Sequence, residues 1–103
     1  MNTTSVVSDW REKIVYNAAG PEPQILMEND KVKVVVAGLE AGQRIPPHAE
    51  AIAIFHFLEG DGWMSVDDER VAVGPGTTII MPAGTVRGVE ATTRLAFLAT
   101  RVA

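Results

Sequence analysis

Both histidines of the chain, His48 and His56, fall within one stretch, residues 42–62, GQRIPPHAEAIAIFHFLEGDG. An imidazole can take or give a proton near neutral pH, and a carboxylate two residues away, Glu50, can tune its pKa. His48 and Glu50 are therefore the candidate catalytic pair. They follow a Pro-Pro stop and run directly into alternating apolar residues that end on a glycine-rich turn. A polar cluster feeding a buried strand is a place where a small β-protein can mount chemistry.

The elements that must hold this cluster are strands. Residues 31–39, KVKVVVAGL, are dominated by β-branched valines and predict a strand. Residues 44–47 are pinned in an extended conformation because each proline fixes its own φ and disfavours helix in its predecessor. Further strands are predicted over 14–16, 24–28, 51–59, 63–66, 70–73, 77–81, 85–89 and 94–100, with Asp67-Asp68-Glu69 closing a hairpin. Gly74, Gly76, Gly84 and Gly88 are expected at sharp corners. Asp9 and Glu12 could cap one helical turn around Trp10. Short β-runs at this spacing, with no long helical period, predict an all-β antiparallel sandwich or barrel.

Bulk composition excludes several functions. With no cysteine among 103 residues, disulfides and thiolate metal sites are ruled out. The net charge is −4 and the nine Lys and Arg are scattered, so no nucleic-acid surface is expected. No apolar run approaches the roughly 20 residues of a membrane span, so no membrane partner is expected. The N-terminus lacks a basic and apolar leader pattern, and the reading is a cytoplasmic protein. The length suits one domain over residues 1–103, with 1–13 as an N-terminal arm and 31–100 as the barrel.

Two segments carry a family resemblance. Gly42-x5-His48-x-Glu50, followed by a strand reaching Gly60, resembles the first motif of the cupin superfamily, and Gly76-x5-Pro82-x-Gly84-x2-Arg87 resembles the second. The resemblance implies a small single-domain jelly roll, or double-stranded β-helix, made of two antiparallel sheets. Metal-binding cupins supply two histidines spaced H-x-H, a glutamate, and a third histidine from the second motif. Here only His48 matches. Glu50 stands at the second histidine position, Ala53 at the glutamate position after a one-residue deletion, and Arg87 at the third histidine position. Ala91 replaces an asparagine often found four residues later.

Two donors at best, His48 and Glu50, are fewer than the three a catalytic first-row metal generally needs. A guanidinium in the same cavity repels a divalent ion and cannot become a ligand. The expectation is that no metal cofactor is held, the alternative being a divalent transition metal on His48 and Glu50. Strand parity then places Ala53, Phe55 and Phe57 inward with His48 and Glu50, facing Arg87, Val89 and Ala91. The predicted ligand-binding residues are His48, Glu50, Phe55, Phe57 and Arg87, with Arg87 as the only cation. Such a pocket suits a small organic anion or aromatic acid.

Other readings stay open. His48 could be hydrogen-bonded to backbone, and Glu50 and Arg87 could neutralise each other in a purely structural barrel. The alternative function is a small cupin enzyme, either an isomerase, decarboxylase or lyase using His48, or a metal-dependent dioxygenase with an atypical site. His56, of opposite parity, is expected on the outer face. Residues 52–54, Ile-Ala-Ile, are apolar on both faces, which predicts a covering second subunit and hence a homodimer.

Overall fold

The computed structural model describes residues 4–103; the first three residues of the expected N-terminal arm lie outside that range. Nine strands follow a single 3-10 turn, Trp10–Glu12, whose start is capped by Asp9 accepting from the Arg11 N–H at 3.0 Å. The strands are β1 (Gln24–Glu28), β2 (Val32–Leu39), β3 (Arg44–Ala49), β4 (Ile52–Glu59), β5 (Gly62–Val66), β6 (Glu69–Val73), β7 (Thr78–Met81), β8 (Val86–Ala91) and β9 (Leu95–Val102). All neighbours pair antiparallel, in a five-stranded sheet of order β1-β2-β9-β4-β7 and a four-stranded sheet of order β3-β8-β5-β6.

From β2 onward the chain changes sheet at every connection except the β5–β6 hairpin. Such crossings need tight corners, and Gly42, Gly60, Gly76 and Gly84 take φ of 85–87° there, a region a side chain disfavours. Asp67 turns the hairpin with φ 53°, tolerated by a short polar side chain, and its Oδ1 accepts from the Val86 N–H at 3.0 Å. The hairpin is thereby tied to β8.

Two expectations are corrected. Residues 14–16 form no strand. They lie instead against Gly38 of β2, where an added Cβ would stand 2.7 Å from Ile14 and 2.9 Å from Tyr16. Gly88 is no corner. It sits inside β8, and a Cβ there would stand 2.7 Å from the Ile45 carbonyl oxygen and 2.9 Å from the Pro47 nitrogen. The reason is the Pro-Pro pair: neither residue has an N–H to give the ladder, and the β3–β8 register slips between Ile45 and His48. Gly88 lets the bulged backbone settle onto β8.

Register sorts the inner faces into rows. Across the larger sheet the rows are Lys33–Arg101–Ala53, then Val35–Ala99–Phe55, then Ala37–Phe97–Phe57, then Leu39–Leu95. Across the smaller sheet, His48–Arg87–Val66 is followed by Ile45–Val89–Met64. Leu39, Phe57, Met64 and Leu95 are wholly buried, so one end of the sandwich is a dry core. The rows at the other end are charged.

The outer face of the larger sheet carries Ile52, Ile54 and Ile80, all exposed. His56, as expected, is also outside, its Nδ1 2.7 Å from the Thr78 hydroxyl. Among the described residues no helix is long and apolar enough to cross a membrane.

Candidate ligand-binding site

Between the sheets, at the charged end, lies a cavity of about 220 Å³. Its space comes from small residues in the middle rows, Ala37, Ala99 and Gly88, which leave room that larger side chains would fill. Its walls are otherwise apolar: Val35, Ile45, Val89 and the stacked pair Phe55 and Phe97, with ring centroids 5.0 Å apart and planes 18° apart. Phe57 does not line it. That ring lies one row deeper, 5.5 Å from Phe97, and is completely buried, so Phe97 takes the wall position expected of Phe57.

Arg87 is the polar centre. The side chain is only 2% exposed, yet it makes no ion pair among the described residues. Its Nη2 donates to the Ala51 carbonyl at 2.8 Å, and its Nη1 is buried with no partner among the described residues. Burial pulls its pKa below the ordinary arginine value, an effect opposed by the Glu50 charge. It stays protonated all the same, since an arginine does not lose its proton in a protein.

Glu50 is bound to Arg101 by a charge-assisted hydrogen bond, and not to Arg87. Partial burial pushes the Glu50 carboxyl up, but the Arg101 bond and the charges of Arg101, His48 and Arg87 outweigh it and hold the pKa below 4.5. The mutual neutralisation of Glu50 and Arg87 is therefore not the arrangement found. Glu50 sits at the rim beside the cavity, not in its lining.

His48 lines the mouth but is exposed to solvent. Its Nδ1 donates to the Pro46 carbonyl at 3.0 Å, which in the neutral ring leaves Nε2 with a free lone pair. This is the backbone-bonded arrangement that the sequence left open beside the catalytic one.

Arg87 is not the only cation. Lys33 and Arg101, directly opposite each other across β2 and β9, also line the cavity, and no carboxylate does. Like charges in facing positions disfavour a sheet pairing, so each needs a counter-ion. Arg101 has Glu50, and the Lys33 ammonium is 3.7 Å from Glu28. Sequence reading missed both cations. Counting alternate residues forward from Phe97 and back from Val35 would have found them.

A larger groove of about 420 Å³ lies on the outer face of the smaller sheet, bordered by Arg44, Trp63, Arg70 and Glu90. The Arg70 guanidinium already covers Trp63 at 3.9 Å from the ring centroid. No buried polar group in this groove lacks a partner among the described residues, and the interior cavity is the candidate site.

The residues do not fit a catalytic metal. Among the described residues no group of three His, Cys, Asp or Glu stands together. Of the two nearest donors, the carboxylate of Glu50 is committed to Arg101, and a permanent guanidinium stands directly opposite His48 in the β3–β8 register.

Two facing antiparallel sheets, joined by sheet-to-sheet corners around an interior pocket, define a cupin-type double-stranded β-helix. Residues 35–100 match the family model of the cupin domain, Cupin_2, and the chain belongs to that family. No curated protein matches the chain. Among solved structures it is similar to a conserved protein of unknown function from Streptococcus pyogenes, 24% identical, covering 99% of this chain and 90% of that one, TM-score 0.85. It is also similar to an uncharacterised double-stranded β-helix protein from Klebsiella pneumoniae, 17% identical, covering 96% and 90%, TM-score 0.86. A DMSP lyase from Ruegeria pomeroyi is 17% identical over 82% of this chain and 47% of its own, TM-score 0.74. At these identities the likeness shows the fold alone.

Proposed function

We propose that this cupin is a metal-free small-molecule binder whose interior cavity takes a compact organic anion, with an aromatic acid as the favoured shape. One observation carries the reading: Arg87 is buried, charged, and among the described residues without an ion pair and with one N–H pair unused. A buried charge is expensive unless paired, and a guanidinium already anchored by the Ala51 carbonyl presents its remaining edge in fixed geometry. A carboxylate supplies the missing partner, and the apolar walls with their stacked phenyl rings suit a flat hydrocarbon body. A cavity near 220 Å³ falls short of the roughly 300 Å³ at which drug-sized pockets begin, so the ligand is small.

Calorimetric titration with benzoate, beside elemental analysis of the purified protein, tests this. Expected are saturable binding, its loss in Arg87→Met, and less than a tenth of an equivalent of transition metal. Stoichiometric iron, zinc, manganese or nickel overturns it.

A second reading is favoured by the free Nε2 of His48 at the cavity mouth. In it the bound acid is also a substrate, His48 moves a proton, and Arg87 stabilises the enolate formed, in isomerase, decarboxylase or lyase chemistry. Hydrogen–deuterium exchange at the α-carbon of small acids, abolished in His48→Ala, is the expected sign. Equal exchange in the variant overturns it.

We also infer a homodimer through the outer face of the larger sheet. An unbroken cross-strand row, Ile80–Ile54–Thr100–Val34–Met27, spans all five strands, with Ile52–Val102–Val32 beside it. Ile80 is 72% exposed. These rows carry no charge, so they are self-complementary without needing an opposite partner, which favours a second copy over a charged protein.

A further inference from the structure

The cavity has a second cationic station, and this extends the proposed anion site on which the present inference rests. Arg87 lies in the inner-face row of the smaller sheet and accounts for one anionic group. Lys33 and Arg101 form the first row of the opposite sheet, at the mouth, separated from the dry core by the row of Val35, Ala99 and Phe55. Placing two like charges in directly facing positions on an inner face costs stability. The counter-ions present offset only part of this. Arg101 is held by Glu50, but Lys33 meets Glu28 only at 3.7 Å, and the Glu28 side chain is about half exposed. The Lys33 side chain is the more enclosed of that pair, at 29% exposure. The lining holds three cations and no carboxylate, and of the carboxylates outside it the half-exposed Glu28 screens Lys33 only at 3.7 Å, which leaves the Lys33 ammonium open to a closer anionic partner.

We infer that the ligand is a compact dianion, a dicarboxylic acid or an acid bearing a second anionic group. One end meets the Arg87 edge inside, the other the Lys33–Arg101 pair at the mouth, and a short flat body between them lies along Phe55 and Phe97. This arrangement sets both polarity and orientation: a monoanion satisfies Arg87 alone, whereas a dianion bridges the two sheets.

Titration of the full chain with matched probes tests it: benzoate against isophthalate, and butanoate against pentanedioate, at one ionic strength. Each dianion is expected to bind about tenfold more tightly than its monoanion, the gain of one further charge-assisted hydrogen bond. Lys33→Met is expected to bring isophthalate within about twofold of benzoate, which amounts to losing that bond. Thermal melts of Lys33→Met are expected to show a folded variant, so that a change in binding reads the lost charge. If benzoate binds through Arg87 but isophthalate is no tighter, or stays tenfold tighter in Lys33→Met, the dianion is wrong and the anion site stands. If neither probe of either pair binds to the folded protein, both inferences are overturned.

Discussion

Arg87 combines features that seldom coexist: near-complete burial, a permanent charge, and a donor nitrogen with nothing to donate to. Breaking a buried pair is destabilising, but replacing a buried ion with an apolar side chain of similar reach is often neutral or stabilising. Arg87→Met removes the desolvation of the guanidinium and loses one hydrogen bond, to Ala51. The ligand-free variant is expected to be about 1 kcal/mol more stable than wild type in urea melts, while benzoate no longer raises its melting temperature. Arg87→Ala, which leaves a void, should instead lose about 2–4 kcal/mol. A stability gain on removing a charged side chain would mark a residue kept for binding.

Glu50 yields a second residue-level prediction. Its folded pKa is below the ordinary 4.5, chiefly because the Arg101 bond and neighbouring positive charges overcome the effect of burial. A depressed carboxyl contributes stability that is fully present above 4.5 and fades as pH falls through its lower folded value. Wild type should therefore exceed Arg101→Leu in urea midpoint at pH 6, and the difference should shrink steadily as the pH falls below 4.5. A difference independent of pH would mean that the pair contributes nothing through charge.

At the scale of elements, the β3–β8 pairing controls the site, because His48 and Arg87 face each other across it. The pairing depends on backbone closeness at Gly88, where the atoms in the way are the Ile45 carbonyl oxygen and the Pro47 nitrogen. Backbone cannot step aside as a side chain can. Gly88→Ala is expected to cost about 2–3 kcal/mol and to weaken anion binding by displacing Arg87. Gly38 is equally crowded, but by the ends of Ile14 and Tyr16 side chains, so Gly38→Ala should cost nearer 1 kcal/mol and leave the cavity intact. Urea melts and benzoate titration of the two variants decide the order. Every strand from Gln24 onward except β3 was legible from β-branched runs and Gly or Pro punctuation, to within two residues at its ends, and β3 was legible only as an extended stretch fixed by its prolines. The segment 14–16 was misread because three apolar residues can equally well cover a neighbouring strand. Gly88 was misread because no local signal separates a glycine that turns the chain from one that admits another backbone.

For the whole molecule, the homodimer proposed above rests on the apolar rows of the larger sheet. In a two-fold pairing each substitution acts twice, so one charge at the centre of the rows opposes itself across the axis. Ile54→Lys is expected to convert a dimer to a monomer by analytical ultracentrifugation, with little change in the monomer's fold because the position is 37% exposed. A wild-type protein that sediments as a monomer at all concentrations would dispose of the dimer.

The sequence alone determined what depends on neighbours along the chain: an all-β architecture, most of the corners, and the two cupin motifs, with Glu50 and Arg87 at positions where metal-binding cupins carry histidines. Alternation along a strand also gave the inward set Ala53, Phe55, Phe57, Arg87, Val89 and Ala91, but not Glu50, which follows the bulged β3. Tertiary structure decided which charges meet. Glu50 pairs with Arg101 rather than Arg87, Phe97 rather than Phe57 walls the cavity, and Lys33 and Arg101 share its mouth, because register between strands distant in sequence sets the depth of each row. That register is a property of the packed sheets, and no spacing along one strand encodes it.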